Sequence, residues 1–87
     1  MIKIKQFQIL RDNADLIEFK SKYHYWCMIP NRYYPDTYFL WHKHEQTHPY
    51  HRQFKEAFAL NHLVKYVLDH DSYVESKSKI SNNSHNL

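Results

Sequence analysis

Apolar and polar residues alternate over the first ten positions of this chain, a pattern that is typical of a β-strand. The predicted strand spans Ile2–Leu10. Ile2 and Ile4 fall on one face, whereas Phe7 and Ile9 fall on the other. This change of face indicates either a bulge or a strand that is covered on both sides.

Two further apolar runs lie in the middle of the chain and are rich in aromatic and β-branched residues. They span Tyr23–Ile29 and Thr37–Lys43, and both are typical of strands. Alternation along the second run divides it into two faces, with Tyr38, Leu40 and His42 on one and Phe39, Trp41 and Lys43 on the other. Pro30 and Pro35 break the segment between the runs. We therefore expect an antiparallel hairpin with a loop of about seven residues.

Helical periodicity is found in two places. Asp12 or Asn13 can cap a short helix. Its apolar residues, which would face the core, are Leu16, Ile17 and Phe19. A longer helix is predicted from about Pro49 to His70, because proline suits the first turn of a helix. The apolar arc of this longer helix consists of Ala57, Leu60, Leu63, Val64, Val67 and Leu68.

The order of these elements, β-α-β-β-α, predicts a small α+β domain. An antiparallel sheet would carry one long C-terminal helix packed on it. Residues 1–74 are expected to form this single domain. Residues 75–87 are polar and show no periodicity, so we expect them to form a disordered tail.

The composition excludes several classes of enzyme. Glycine is absent from all 87 residues, so phosphate-binding loops, dinucleotide fingerprints and nucleophile elbows that depend on glycine cannot form. Cys27 is the one cysteine, which rules out an internal disulfide and a multi-cysteine zinc site. We interpret Cys27 as a buried apolar residue. Without an export signal or a long apolar segment, we expect a cytoplasmic protein with no membrane partner.

One segment matches a zinc-protease motif, H-E-x-x-H, at His44-Glu45-Gln46-Thr47-His48. In such enzymes a helix places both histidines on one face. Pro49 follows directly and disfavours helical geometry at this point. We therefore interpret the match as chance and predict neither catalysis nor a small-molecule substrate.

A metal site remains an alternative interpretation of the same histidine-rich connection. The candidate ligands are His44, His48 and His51, which a strand end and a helix start can bring around one zinc ion. The interpretation that the sequence favours is a solvated polar connection without a cofactor. A zinc binder or a metal-dependent hydrolase that uses residues 44–48 is kept as an alternative function.

A basic and aromatic set of residues is the strongest functional signal. Its members are Arg32, Tyr33, Tyr34, Tyr38, Trp41, Lys43 and Arg52. Rings that alternate with cations suit single-stranded nucleic acid, and the same residue types are enriched in protein interfaces. The formal net charge is +3. We therefore predict a non-catalytic binding protein whose partner is nucleic acid or a protein that handles it. The alternative is a phage- or plasmid-type inhibitor that binds a host defence protein complex.

Overall fold

The computed structural model describes the backbone of residues 7–85 and the side chains of residues 7–77. Its elements are β1 Gln8–Asp12, β2 Ile17–Lys20, β3 Tyr25–Pro30, β4 Thr37–Lys43, β5 His51–Arg52, β6 Phe58–Ala59 and α1 Leu60–His85. The six strands form one antiparallel sheet in the order β1-β2-β3-β4-β5, and β6 also pairs with β4. This sheet and its C-terminal helix confirm the predicted α+β class.

The hairpin predicted in the middle of the chain is confirmed as β3 and β4. Tyr25 lies opposite Lys43, and the register continues without a break over six residue pairs. The connecting residues 31–36 end at Asp36, whose φ of 64° lies in the left-handed region that glycine usually occupies. Aspartate tolerates this region better than most residues. Asp36 thus takes a position that glycine would ordinarily fill.

The prediction of a short helix after Asn13 is wrong, because β1 and β2 form a hairpin there. The Asn13 side chain accepts hydrogen bonds from the backbone N–H groups of Asp15 at 2.8 Å and Leu16 at 3.1 Å. A side chain that can cap a helix therefore closes a turn instead. Burial then alternates along β2, with Ile17 and Phe19 buried, as in a strand with one covered face.

The first strand ends two residues later than predicted, at Asp12. Within the described residues it is Gln8–Asp12, and residues 2–6 of the predicted strand lie outside them. The register with β2 shifts between Ile9 and Arg11. This irregularity fits the expected bulge. It lies later in the chain than the change of face in the sequence, which occurs between Ile4 and Phe7.

The long helix begins at Leu60, so the predicted start near Pro49 is wrong. Residues 49–59 instead follow the far edge of β4, where β5 and β6 pair with its two ends. Between them the Gln53 N–H donates to the Leu40 carbonyl at 2.8 Å. These bonds occupy backbone groups that an edge strand would otherwise leave unpaired. The pairing with β4 therefore outweighs the helical tendency of the segment.

The helix also continues past His70 and past Val74, where the domain was predicted to end. Glu75 Oε2 lies 3.2 Å from Lys22 Nζ, so α1 still contacts the segment before β3 at this position. The side chains of residues 78–87 lie outside the described ones. The disordered tail stays a prediction there.

One face of the sheet packs against α1 and forms the core. Its buried apolar residues are Phe7, Ile17, Phe19, Trp26, Met28, Leu40, Leu63 and Val67. A hydrogen-bonded chain of buried polar groups adjoins this core. The Trp26 indole N–H donates to Ser21 Oγ at 2.9 Å, and the Ser21 hydroxyl donates to Asp71 Oδ1 at 2.9 Å. These two hydrogen bonds link β3 to α1 through Ser21.

Candidate functional site

The side of the sheet that faces away from α1, called the outer face below, is lined by rings and cations. Strand alternation places Lys20, Tyr25, Cys27, Phe39, Trp41, Lys43 and Arg52 on it. Tyr50, from the connection before β5, lies on the same side, because its hydroxyl donates to Glu18 Oε2 at 2.8 Å. The face is therefore built from four strands and one connecting segment.

Each cation at the centre of the outer face lies over a ring. The pairs are Arg52 over Phe39 at 4.6 Å, Lys43 over Tyr50 at 4.3 Å and Lys20 over Tyr25 at 5.6 Å, measured to the ring centroid. The Arg52 guanidinium also lies 5.3 Å from the Trp41 ring. Cation–π attraction operates at these distances. It holds the positive charges over the rings without neutralising them.

The structure divides the seven predicted partner-binding residues into three groups. Trp41, Lys43 and Arg52 share the outer face, Arg32, Tyr33 and Tyr34 lie in the β3–β4 loop, and Tyr38 packs against the core. Tyr33 is 86% exposed and Tyr34 is 68% exposed. The assignment of Tyr38 to the same patch as Trp41 is a misplacement, since residues three apart on a strand point to opposite sides.

Several residues of the outer face escaped the sequence-based prediction. They are Lys20, Tyr25, Phe39 and Tyr50. Phe39 could have been assigned to the outer face from the sequence, because it lies two residues before Trp41 on the same strand. Tyr50 could not, because its position on this face depends on its tertiary contact with Glu18. A shallow groove lined in part by Tyr34, Phe39 and Lys55 joins the β3–β4 loop to the outer face. The outer-face group and the β3–β4 loop group are therefore continuous at the surface.

Glu18 places a carboxylate among these cations. Its Oε1 lies 3.9 Å from Arg11 Nε, and its Oε2 accepts the hydrogen bond from Tyr50. Burial and this hydrogen bond raise the pKa of the Tyr50 hydroxyl above its ordinary value. The negative charge of Glu18 is thus engaged within the protein, and Tyr50 is held against the sheet.

Cys27 lies on the outer face between Glu18 and Trp41 and is only 6% exposed, as expected for a buried apolar residue. Burial and, to a lesser extent, the charge of Glu18 raise the pKa of its thiol to about 11. Because the thiolate is the reactive form, we expect native protein at pH 8 to react with a disulfide reagent about 100-fold more slowly than unfolded chain. Absorbance of the released thiol measures both rates. Equal rates would contradict the buried position.

A second constellation, the histidine cluster, consists of His24, His42, His44 and His70. His24 Nδ1 lies 3.0 Å from His42 Nε2. The rings of His24 and His44 stack at 4.4 Å with 5° between their planes. His70 approaches from α1, with its ring centroid 5.1 Å from those of His24 and His42. The cluster therefore joins the sheet to the helix.

The register of the central hairpin explains how the cluster forms. Tyr25 lies opposite Lys43, so His24 and His44 follow at the adjoining ends of the two strands. His42 lies on the core side, where its ring stacks on Trp26 with centroids 4.2 Å apart and 24° between the planes. The central hairpin thus supplies three of the four histidines.

Most of the cluster is neutral at neutral pH. His42 is 3% exposed, and burial together with the neighbouring histidines lowers its pKa to about 3. Burial likewise lowers the pKa of His24 and of His70, although the carboxylate of Asp71 acts in the opposite direction on both. A neutral imidazole has a nitrogen lone pair, which can accept a hydrogen bond or bind a metal.

The three predicted metal ligands His44, His48 and His51 line one shallow groove, but among the described residues the histidine nitrogens that lie within 4.8 Å of one another belong to His24, His42 and His44. His44 belongs to the histidine cluster, and the ring of His51 lies 5.5 Å from that of His42. His48 instead places Nε2 3.7 Å from Glu45 Oε2. The predicted triad therefore shares a groove, and the closely spaced histidines form a different set that has only His44 in common with it. The sequence interpretation missed His24 and His70 because they are distant in the chain from the histidine-rich connection.

The H-E-x-x-H match does not lie on a helix. Residues 44–48 form turns and bends, and the His48 N–H donates to the Glu45 carbonyl at 3.1 Å. The helical arrangement that would place His44 and His48 on one face is therefore not present. Pro49 follows this turn directly, and the sequence analysis expected it to disfavour a helix at the motif.

Within residues 7–85, no helix combines the length and the apolar character that crossing a membrane requires. Comparisons of the chain with protein-family models, with curated proteins and with solved structures find no match. Its candidate function therefore rests on the chemistry of the outer face and of the histidine cluster.

Proposed function

We propose that this chain is a non-catalytic binding protein whose outer face engages single-stranded nucleic acid. The observation that carries the proposal is the interleaving of rings and cations around Trp41, Phe39 and Arg52. Unpaired bases stack on aromatic rings, and cations beside those rings contact the phosphates. Rings on an open sheet face are also used by RNA-binding domains.

The charges of the outer face suit a polyanion. Lys20, Lys43 and Arg52 are held by ring contacts, which leaves their charges available to phosphates. Glu18, the carboxylate among them, is engaged by Arg11 and Tyr50. Phosphate contacts dominate the affinity for nucleic acid and make it dependent on salt. A mildly basic chain, with a net charge of +3, fits such a partner.

The groove beyond Phe39 offers a path for a strand longer than the central cluster. It leads to Tyr34, and Arg32 lies in the same exposed loop. A bound strand could therefore follow the outer face from Trp41 towards the loop. This arrangement brings two parts of the predicted patch into one continuous interface.

A protein partner is the second candidate, and the β3–β4 loop favours it. Tyr33 and Tyr34 project into solvent next to Arg32. Tyrosine and arginine are enriched at the centres of protein interfaces. An inhibitor of a host defence protein complex would use this loop, with the outer face as the surrounding contact area.

The test is binding of a fluorescently labelled single strand of about 15 nucleotides, a length within the usual range for one small domain. We expect Lys43→Gln combined with Arg52→Gln to weaken binding at least tenfold at low salt. The logarithmic salt dependence should fall by about 0.7 for each phosphate that the variant no longer neutralises. We expect Trp41→Ala to weaken binding by about 1–3 kcal/mol for each base that stacks on the ring. Fluorescence anisotropy measures the affinity.

The matched control is Lys65→Gln combined with Lys77→Gln, which removes the same charge from α1. Both side chains lie on the helix, outside the outer face. Circular dichroism checks that each variant remains folded. Equal weakening by the two double variants would show a non-specific charge effect and contradict the proposal. No retention of any strand at low salt would also contradict it, and would favour the protein partner.

A further inference from the structure

We propose that His24, His42 and His44 bind one zinc ion and that His70 supplies the fourth ligand. This site is separate from the outer face, because His42 and His70 lie on the helix side of the sheet. It also differs from the triad that the sequence indicated, since His48 and His51 are replaced by His24 and His42. Its role would be to fasten α1 to the central hairpin.

The spacing of the ligand atoms supports the site. One nitrogen from each of His24, His42 and His44 lies within 4.8 Å of the other two. Around a tetrahedral zinc ion with Zn–N distances of about 2.0–2.1 Å, ligand nitrogens are about 3.3 Å apart. The pair His24 Nδ1 and His42 Nε2, at 3.0 Å, is already close to that value. This pair is therefore already spaced for a metal ion, whereas the ring of His44 has to rotate.

His44 is the ligand that has to move most. Its ring is stacked on that of His24, and two stacked rings do not direct their lone pairs at one point. His44 is also an exposed member of the cluster, so its ring can turn without disturbing the core. The more deeply placed His42 is held by stacking on Trp26. One flexible and one fixed ligand allow the site to close around an ion.

His70 provides an independent indication. Its Nδ1 atom is buried and has no hydrogen-bond partner among the described residues. A buried polar atom without a partner is costly, so such atoms call for a specific explanation. The ring of His70 lies 5.1 Å from those of His24 and His42, within reach of the same ion after a side-chain rotation. Coordination would satisfy this nitrogen.

The donor set selects the type of metal. Four imidazoles suit zinc and other transition metals, whereas magnesium and calcium prefer oxygen ligands. Cys27, the single thiol, lies on the outer face and cannot reach the cluster. Four protein ligands leave no open position for water or substrate, which makes the site structural. Zinc binding would then stabilise the folded chain directly.

The experiment uses full-length chain purified without a histidine tag, stripped of metal and titrated with zinc. We expect one zinc ion for each chain by elemental analysis. We also expect the unfolding temperature to rise by about 10 °C or more once zinc exceeds its dissociation constant 100-fold. Cobalt(II) should give the strong visible absorption of a tetrahedral site.

The deciding variants are His44→Gln and His70→Gln, each compared with His48→Gln as the matched control. His44 and His48 are both exposed residues of the same connection, but only His44 belongs to the cluster. We expect His44→Gln and His70→Gln to weaken zinc binding at least tenfold and His48→Gln to leave it unchanged. Equal effects of His44→Gln and His48→Gln, or no thermal shift in the natural chain, would overturn the site. Unchanged affinity in His70→Gln would overturn the fourth ligand.

Discussion

Replacing Asp71 by alanine is expected to lower the free energy of unfolding by about 2–4 kcal/mol. Asp71 is 8% exposed. Its carboxylate accepts hydrogen bonds from the Ser21 hydroxyl at 2.9 Å and from the Lys22 N–H at 3.1 Å. Removing it leaves both donors without their acceptor. The series of hydrogen bonds from the Trp26 indole through Ser21 to α1 is then interrupted, which loosens the packing of the helix on the sheet.

Asp69→Ala is the matched control for this change. Asp69 lies on the same helix, but it is exposed and pairs with the exposed Lys65 at 3.1 Å. Exposed pairs of this spacing contribute about 0.3–0.5 kcal/mol. Urea unfolding followed by tryptophan fluorescence measures both variants, because Trp26 reports on the core. Similar decreases in stability for Asp69→Ala and Asp71→Ala would show that the buried network contributes little.

The second large effect expected is a loss of stability in acid by the metal-free protein. His42 has an ordinary pKa of 6.5 when unfolded and about 3 when folded. Between these values the unfolded state binds a proton that the folded state does not, so stability is highest above pH 6.5 and falls as the pH is lowered. The slope is about 1.4 kcal/mol for each pH unit and each such histidine. Urea unfolding at a series of pH values between 7 and 5 measures it.

The groups around His42 fix the direction of this effect. His24, His44, His51 and His70 all face it, and their charged forms would repel its charged form. His24 and His70 also have lowered pKa values, so they add to the same slope, although Asp71 opposes part of their shift. His42→Leu should reduce the slope by about one proton. A free energy of unfolding that is constant from pH 7 to 5 would contradict the burial of His42.

The two constellations occupy opposite sides of one sheet. The outer face carries charges held over rings, and the core side carries imidazoles that burial keeps neutral. The central hairpin contributes to both, because neighbouring residues of a strand point in opposite directions. Trp41 and His42 are adjacent in sequence and serve different surfaces. Substitutions in this hairpin therefore have to be tested for effects on both sites.

The sequence predicted the elements whose pattern is strong over many residues. The alternation in Thr37–Lys43 correctly separated Leu40 and His42 from Trp41 and Lys43. The apolar arc with Leu63 and Val67 correctly identified the buried side of the long helix. In both cases local periodicity and burial agree, because a regular element presents the same face to the core along its whole length.

Prediction from local sequence was wrong at positions where one residue is compatible with two different local structures. Asn13 can cap a helix or close a turn, and pairing between β1 and β2 selected the turn. Pro49 suits the start of a helix, yet the residues after it pair with the edge of β4, and the helix begins at Leu60. Each outcome depends on a strand elsewhere in the chain, which local patterns do not contain.

By itself, the sequence determined the α+β class, the central hairpin, the exclusion of glycine-dependent sites and the buried character of Cys27. Only the tertiary structure decided which rings share the outer face with Trp41 and which histidines meet around His42. Alternation and composition act over neighbouring residues, so they are legible in the chain. The meeting of His24 with His70 depends on the packing of a helix on a sheet. That packing joins residues far apart in sequence, and no local preference encodes it.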